Sequence, residues 1–251
     1  MEDEMGFALF VRSKSGVVPT ENAKRLIPMM RAQLSWDEQI EQEIAQINAL
    51  DRGTLTIASY ASIASQWLPA VIKSFNEDYP AIKINIIEGV WQDVASYLNE
   101  RRADMGFYSY HPSIKYHWIP LKNDPVVVAV PPEHPLADKS HIKISDLANE
   151  KLIRTAGGFD VDVGSVMDIG KHDSSYTTLL NYSAFAMVEK NMGLVITNRL
   201  ITHRLDYEMK LIPLDPPQNV SLGIAYPTDV KLSPAAEMFI KYSKRIIPEL
   251  D

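Results

Sequence analysis

A chain of 251 residues with 46% hydrophobic and 23% charged residues has an ordinary globular composition, long enough for one or two domains with a sizeable core. It contains no cysteine, which excludes disulfides, thiolate nucleophiles and cysteine zinc sites and fits a reducing compartment. A net charge of −7 opposes a free-standing nucleic-acid binder, because phosphate contacts require clustered Lys and Arg.

The acidic start MEDEMGFALF lacks the basic and apolar regions of a secretory leader, and no apolar run is long enough to span a bilayer. Both point to the cytoplasm. Residues 6–13 place two aromatics and a leucine ahead of Arg12, and residues 15–21 supply a tight turn, a short extended run and a helix start. Arg12, Lys14, Lys24, Arg25 and Arg31 oppose only Glu21 between residues 12 and 31. Such a patch is read either as a solvated face or as a contact for phosphates. Thr20 is placed to N-cap a helix over residues 20–50, in which Leu26, Met30, Ile40, Ile44 and Ile47 recur at helical spacing while Gln33 and Asp37 interrupt the stripe. That narrow seam must bury itself, either on its own domain or on a second copy.

From Gly53 the texture changes to short β-rich runs alternating with amphipathic stretches. Strands are expected at Thr54–Ala58, Ile82–Ile87, Asp104–Tyr108, Pro125–Val130, Leu152–Thr155, Leu194–Thr197 and Val220–Ala225. Helices are expected at Ile63–Tyr79, Val90–Arg101, Tyr176–Asn191 and Pro234–Ile247. This alternation implies a parallel sheet with crossover helices, and the uniformly apolar Pro125–Val130 implies a strand covered on both faces.

Five segments carry a resemblance. Residues 6–23 are similar to the end of the recognition helix and the wing of LysR-type transcriptional regulators, with Pro19 where leucine is usual and Ala23 where glycine is usual. Residues 53–89, with Leu68-Pro69, Phe75, Tyr79-Pro80 and Glu88-Gly89, resemble the opening of that family's effector-binding domain. Asp104–Phe107 and the segment Glu133–Ala137, which includes His134, match two further family segments. Val188–Ile196 matches a third, with Asn191 replacing its first glycine and Thr197-Asn198 its terminal leucine-proline. The resemblance covers nearly the whole chain in order. It implies an α/β fold of two Rossmann-like subdomains with periplasmic-binding-protein type II topology, preceded by a linker helix and a wing remnant.

On that resemblance, residues 1–19 would be the remnant of a winged helix-turn-helix and 20–52 a linker and dimerisation helix. Residues 53–124 with 223–251 would form subdomain I and 125–222 subdomain II, with crossovers near Asp124-Pro125 and Gly223. The helices that read bases would lie upstream of Met1, so Arg12 and Lys14 could make only sequence-blind contacts to DNA phosphates. The linker helix would pair subunits as a homodimer or homotetramer, and a small-molecule effector would sit in the cleft.

Ligands in such folds sit at carboxyl ends of strands. The candidate effector-binding residues are therefore Ser59, Tyr60, Ser62, Gly89, Trp91, Gln92, Tyr108 and Ser109, with Thr155, Phe159 and Thr197 across the cleft. Each has a structural alternative: Ser59 and Ser62 as helix N-caps, Trp91 as cover for a helix start, Tyr60, Tyr108 and Tyr110 as packing. Ser62 matches the family position that commonly touches effectors. A hydroxyl beside free helix N–H groups suits a carboxylate or other anion, and Trp91 in the cleft would select an apolar or aromatic part. The six histidines show no metal-ligand spacing, and Asp160–Gly164 lacks the third acidic position and terminal Glu of a calcium loop. No nucleophile motif, phosphate loop or dinucleotide fingerprint occurs. The sequence therefore predicts no cofactor, no metal and no enzyme. Two other readings stay open: an interaction protein pairing through its linker helix with an intact relative, and a solute-binding protein.

Overall fold

The computed structural model of the chain describes residues 2–13, 16–47, 52–155, 176–229 and 231–250. A short helix α1 (Glu2–Met5) leads into an antiparallel hairpin of β1 (Phe10–Ser13) and β2 (Gly16–Pro19). Thr20 is the expected N-cap: its Oγ1 accepts from the Ala23 N–H at 3.1 Å and starts α2 (Glu21–Ile47). The apolar seam of α2 divides along its length. Ala23 is buried and Leu26 and Met30 half-buried, where the helix packs on the body of the protein. Farther along, Ile40 is exposed, and so are Met29 and Trp36 on the same stripe. The Ile47 side chain lies outside the described residues.

The chain then forms β3 (Arg52–Ser59), α3 (Ala61–Gln66), α4 (Leu68–Asp78), β4 (Ala81–Glu88), α5 (Trp91–Asn99) and β5 (Met105–Ser109). The single helix expected over Ile63–Tyr79 is two. Pro69 has no N–H to give the Ser65 carbonyl, so helical bonding restarts with Trp67 as the N-cap of α4. β3 pairs in parallel with β4 and β5, as the alternation predicts.

Next come β6 (His117–Val130), β7 (Ile142–Lys143), β8 (Ile153–Thr155), β9 (Tyr176–Thr178), α6 (Asn181–Glu189), β10 (Val195–Asn198), α7 (Arg199–Thr202), β11 (Lys210–Asp215), β12 (Asn219–Tyr226) and α8 (Pro234–Ile246). The strands join in the order β4-β3-β5-β12-β6-β11-β7, with β10 also on β6. Here the all-parallel expectation fails: β12 runs antiparallel to both β5 and β6, and β6 antiparallel to β10 and β11. β6 also begins eight residues earlier than its apolar run, at His117. Its first part, through Pro125, pairs with β12, and Val126–Val130 pairs with β10 and β11. The β12–β6 register slips between Leu222 and Gly223, leaving Leu121 between the paired Pro120 and Lys122, the kind of bulge at which a strand tolerates proline. Gly223 is obligatory there, since a Cβ would stand 2.3 Å from the Ile119 carbonyl oxygen.

A second correction concerns residues 176–191. Tyr176–Thr178 is a strand, parallel to Ile153–Thr155, and the helix starts only at Asn181. Two adjacent threonines suit a pleated strand better than a helix interior.

The core lies between α4, α8 and the sheet, where Phe75, Phe107 and Phe239 stack edge to face at 5.3 and 6.2 Å. Each such buried ring contributes about 1.5–3 kcal/mol relative to exposure. Beyond the sheet's crossing point, Phe185 and Val188 of α6 pack on Val195 and Ala129. Just past the end of α6 stands Asn191, whose φ of 55° is left-handed and whose N–H donates to the Val188 carbonyl. The family's usual glycine at this place is explained by that backbone, and asparagine tolerates it better than branched residues. Asn191→Gly is expected to leave the melting temperature unchanged or raise it, and Asn191→Val to cost about 1–2 kcal/mol; thermal denaturation of both variants checks this.

Candidate functional site

Three strand ends are stitched together at one end of the sheet. The Gly89 N–H donates to the Ser59 carbonyl at 3.1 Å, and the Tyr60 N–H to the Phe107 carbonyl at 3.0 Å. The Tyr60 hydroxyl shares a 2.8 Å hydrogen bond with Ser109 Oγ. Ser59 is fully buried and spends its hydroxyl on the Tyr60 carbonyl. Neither Ser59 nor Ser62 caps a helix: α3 has Tyr60 at its N-cap, with no side-chain bond. Ser62 Oγ has no partner among the described residues, although the Ser62 carbonyl accepts from Ser65.

Facing these ends is a cavity of about 380 Å³. Tyr60, Ser62 and Gly89 line it from one side, and Leu180, Asn181 and Tyr182 close it from the start of α6. Asn198 comes from the end of β10, Ile201 from α7, and Val220 and Leu222 from β12. Gly89 lets the β4–α5 turn close tightly, because a Cβ there would lie 2.4 Å from that of Asp93. Asp93 in turn accepts from the Val90 N–H at 3.0 Å and holds the first turn of α5. Asn181 Oδ1 is buried without a hydrogen-bond partner. The polar equipment includes the Ser62 and Tyr182 hydroxyls, the buried Asn181 Oδ1, Asn198 and the carboxylates of Glu88 and Asp93 around an apolar wall.

The remaining strand-end candidates go elsewhere. Trp91, Gln92 and Tyr108 line a separate cavity of about 720 Å³ on the other side of α5. Ser109 is buried and reaches the first cavity only through Tyr60. Thr155 and Thr197 are buried at their strand ends and line neither cavity. Arg12 is exposed on the hairpin. Phe159, Lys14 and the Asp160–Gly164 loop lie outside the described residues.

Composition and strand ends did not point to Asn181 and Asn198. The signal for Asn181 is the Thr177-Thr178 pair, which ends a strand and puts the helix start at Asn181. Asn198 is held by Asp124, which is buried at the point where β6 changes partners. The Asn198 side-chain amide and the Leu200 N–H, the latter at 2.9 Å, both donate to Asp124 Oδ2, so this carboxylate caps α7 from a distant strand. Burial pushes the Asp124 pKa up, against the opposing pull of these two donors.

The model of the LysR substrate binding domain matches residues 48–246 of the chain. The chain belongs to the LysR family. Over 252 residues it is 27% identical to YvbU, an HTH-type transcriptional regulator of Bacillus subtilis (strain 168), spanning 98% of this chain and 86% of that protein. In fold it is similar to the effector-binding domain of QuiR in complex with shikimate, with a TM-score of 0.71 and 17% identity over 79% of this chain and 98% of that one. It is also similar to HinK, a LysR family transcriptional regulator from Pseudomonas aeruginosa, with a TM-score of 0.70 and 20% identity over 99% of this chain and 86% of that one. The α/β architecture is therefore that of a LysR effector-binding domain, the periplasmic-binding-protein type II arrangement. The protein is a LysR-family transcriptional regulator, and residues 48–246 are its substrate-binding domain. No described helix is long and apolar enough to cross a membrane.

Asp124 supplies a test of the geometry around α7. Its folded pKa is raised, so the stability linked to its protonation is fully present below the unfolded value and lost as pH rises through the folded value. Asp124→Asn mimics the neutral form and keeps an acceptor for Leu200. Its melting temperature is expected to match the wild type in acid and exceed it increasingly toward neutral pH. A constant difference across that range would contradict the assignment.

Proposed function

We propose that the 380 Å³ cavity is the effector site of this regulator, and that its ligand is a small molecule with an apolar or aromatic body and a hydrogen-bonding head. The observation that carries this is the pairing of two available polar atoms, Ser62 Oγ and the buried Asn181 Oδ1, on opposite walls of one apolar cavity. A ligand that satisfies both draws the start of α3 toward the start of α6, and so favours a closed arrangement by its differential affinity. Glu88 and Asp93 on the wall add acceptors, so the head also carries hydrogen-bond donors. The similarity in fold to a domain captured with shikimate supports a ligand of this size and polarity.

The division at the β6 crossing supports reading residues 53–124 with 223–251 as subdomain I and 125–222 as subdomain II. Residues 1–19 then act as a wing whose Arg12 and Lys14 meet DNA phosphates, and 20–52 as the linker helix. Met29, Trp36 and Ile40 are 68%, 45% and 55% exposed. At about 100° per residue they fall on one line of α2, which supports a homodimer paired through this helix. The protein works in the cytoplasm as a sensor and performs no catalysis.

Two experiments test this. Thermal shift against aromatic acids, amino acids and metabolic carboxylates should find a stabilising ligand, whose affinity Ser62→Ala and Asn181→Ala each reduce by roughly tenfold, the worth of about one hydrogen bond. A panel without stabilisation, or variants that bind unchanged, would sink the site. Light scattering should return a dimer for the wild type and a monomer for the double variant Trp36→Asp/Ile40→Asp; a monomeric wild type at high concentration would refute the pairing.

A further inference from the structure

The larger cavity, about 720 Å³, has no part in the reading above. Its volume falls within the roughly 300–1,000 Å³ of ordinary small-molecule sites. Two buried polar atoms belong to its lining and have no partner: the Trp91 indole N–H and the Tyr108 hydroxyl. Tyr108 is fully buried. Its ring is clamped edge-on between Tyr60 at 6.3 Å and Trp118 at 5.8 Å, so its hydroxyl is held in place. Phenylalanine would fill that slot without leaving a hydroxyl unsatisfied, and an indole nitrogen without an acceptor carries the same kind of cost.

The chemistry of the lining is specific. An indole N–H only donates, so it calls for an acceptor. Burial pushes the Tyr108 pKa up, which keeps the phenol protonated and able to donate. Tyr116 and Ile114 add an aromatic and an aliphatic wall, and the Tyr116 hydroxyl is already spent on the Ala95 carbonyl at 3.1 Å. Of the charged residues, Arg101 and Asp229 neutralise each other in an ion pair. Lys115, exposed at the mouth, has no partner among the described residues. The cavity therefore offers flat apolar walls, two inner donors and one unspent cation.

We propose that this cavity is a second small-molecule site, distinct from the cleft, which takes a planar aromatic carboxylate. The ring lies against Trp91 and Tyr116, oxygen atoms accept from the indole N–H and the phenol, and Lys115 offsets the negative charge. The two cavities share a wall: Tyr60 lines one and Tyr108 the other, and the first turn of α5 gives Asp93 to the cleft and Gln92 to this site. A ligand bonded to Tyr108 therefore bears on the Tyr60–Tyr108 ring pair that borders the cleft, and coupling through it is reciprocal.

The test uses the whole chain labelled at tryptophan. Its four tryptophans give separate indole N–H signals in a nitrogen-15 correlation spectrum, and Trp91→Phe assigns the signal in question. Benzoate and 1-naphthoate are titrated to millimolar concentration, with acetate as the non-aromatic control. The aromatic acids should shift the Trp91 signal saturably and acetate should not. Tyr108→Phe should weaken binding by about tenfold, the loss of one charge-assisted hydrogen bond. The surface change Lys115→Gln should weaken it several-fold without touching the fold, and Ala95→Phe, which fills the cavity, should abolish it. The shift should persist in Ser62→Ala, which separates this site from the cleft. A flat Trp91 signal with both aromatic acids would overturn the proposal, as would shifts that survive both Lys115→Gln and Ala95→Phe. A shift lost in Ser62→Ala but kept in Tyr108→Phe would return the ligand to the cleft and also overturn it.

Discussion

The structure depends on the hydrogen bonding of one strand. β6 pairs with β12 up to Pro125 and with β10 and β11 from Val126 onward, so its backbone belongs to both halves of the sheet. Edge groups that change partner in mid-strand must bend, and the bulge at Leu121 and the Cβ-free Gly223 permit the bend. The helices follow from this: α4 and α8 cover the apolar face on one side of the crossing and α6 covers it on the other. The cleft lies where the strand ends of the two halves face each other. Asp124, buried at the turnover, ties α7 to the crossing and so sets Asn198 and Ile201 against the cleft.

The same stitching of strand ends separates two polar environments. Tyr60 spends its hydroxyl on Ser109 and its ring on Tyr108, which makes the β3–α3 turn a rigid partition. On one side the available groups include a serine hydroxyl and a buried asparagine oxygen, on walls drawn from α3 and α6. On the other they are an indole N–H and a phenol deep in an aromatic pocket. The two environments therefore meet at one aromatic pair, Tyr60 on one side and Tyr108 on the other.

Much of this was legible in the sequence because the physics is local. A capping threonine at Thr20, alternating β-rich and amphipathic runs, and a continuous apolar run at Val126–Val130 report their own backbones. Errors occurred where distant residues decide. The extension of β6 through Pro120 is invisible to pattern, since a proline in a polar stretch argues against a strand unless a bulge elsewhere accepts it. The strand at Tyr176–Thr178 exists because Ile153–Thr155 offers an edge. That pairing moves the helix start to Asn181 and turns its side chain into the cavity wall.

The site divides in the same way. That Ser59–Ser62, Gly89–Gln92 and Tyr108–Ser109 gather at strand ends follows from strand–turn–helix order, and sequence alone determined it, together with the family. Which of them share a cavity was decided by tertiary structure. A strand end has two sides, and the packing of α5 on β5 sends Trp91 and Tyr108 to one side and Gly89 and Ser62 to the other. No one-dimensional pattern encodes that choice, because it is made by side chains brought together from strands and helices far apart in the chain.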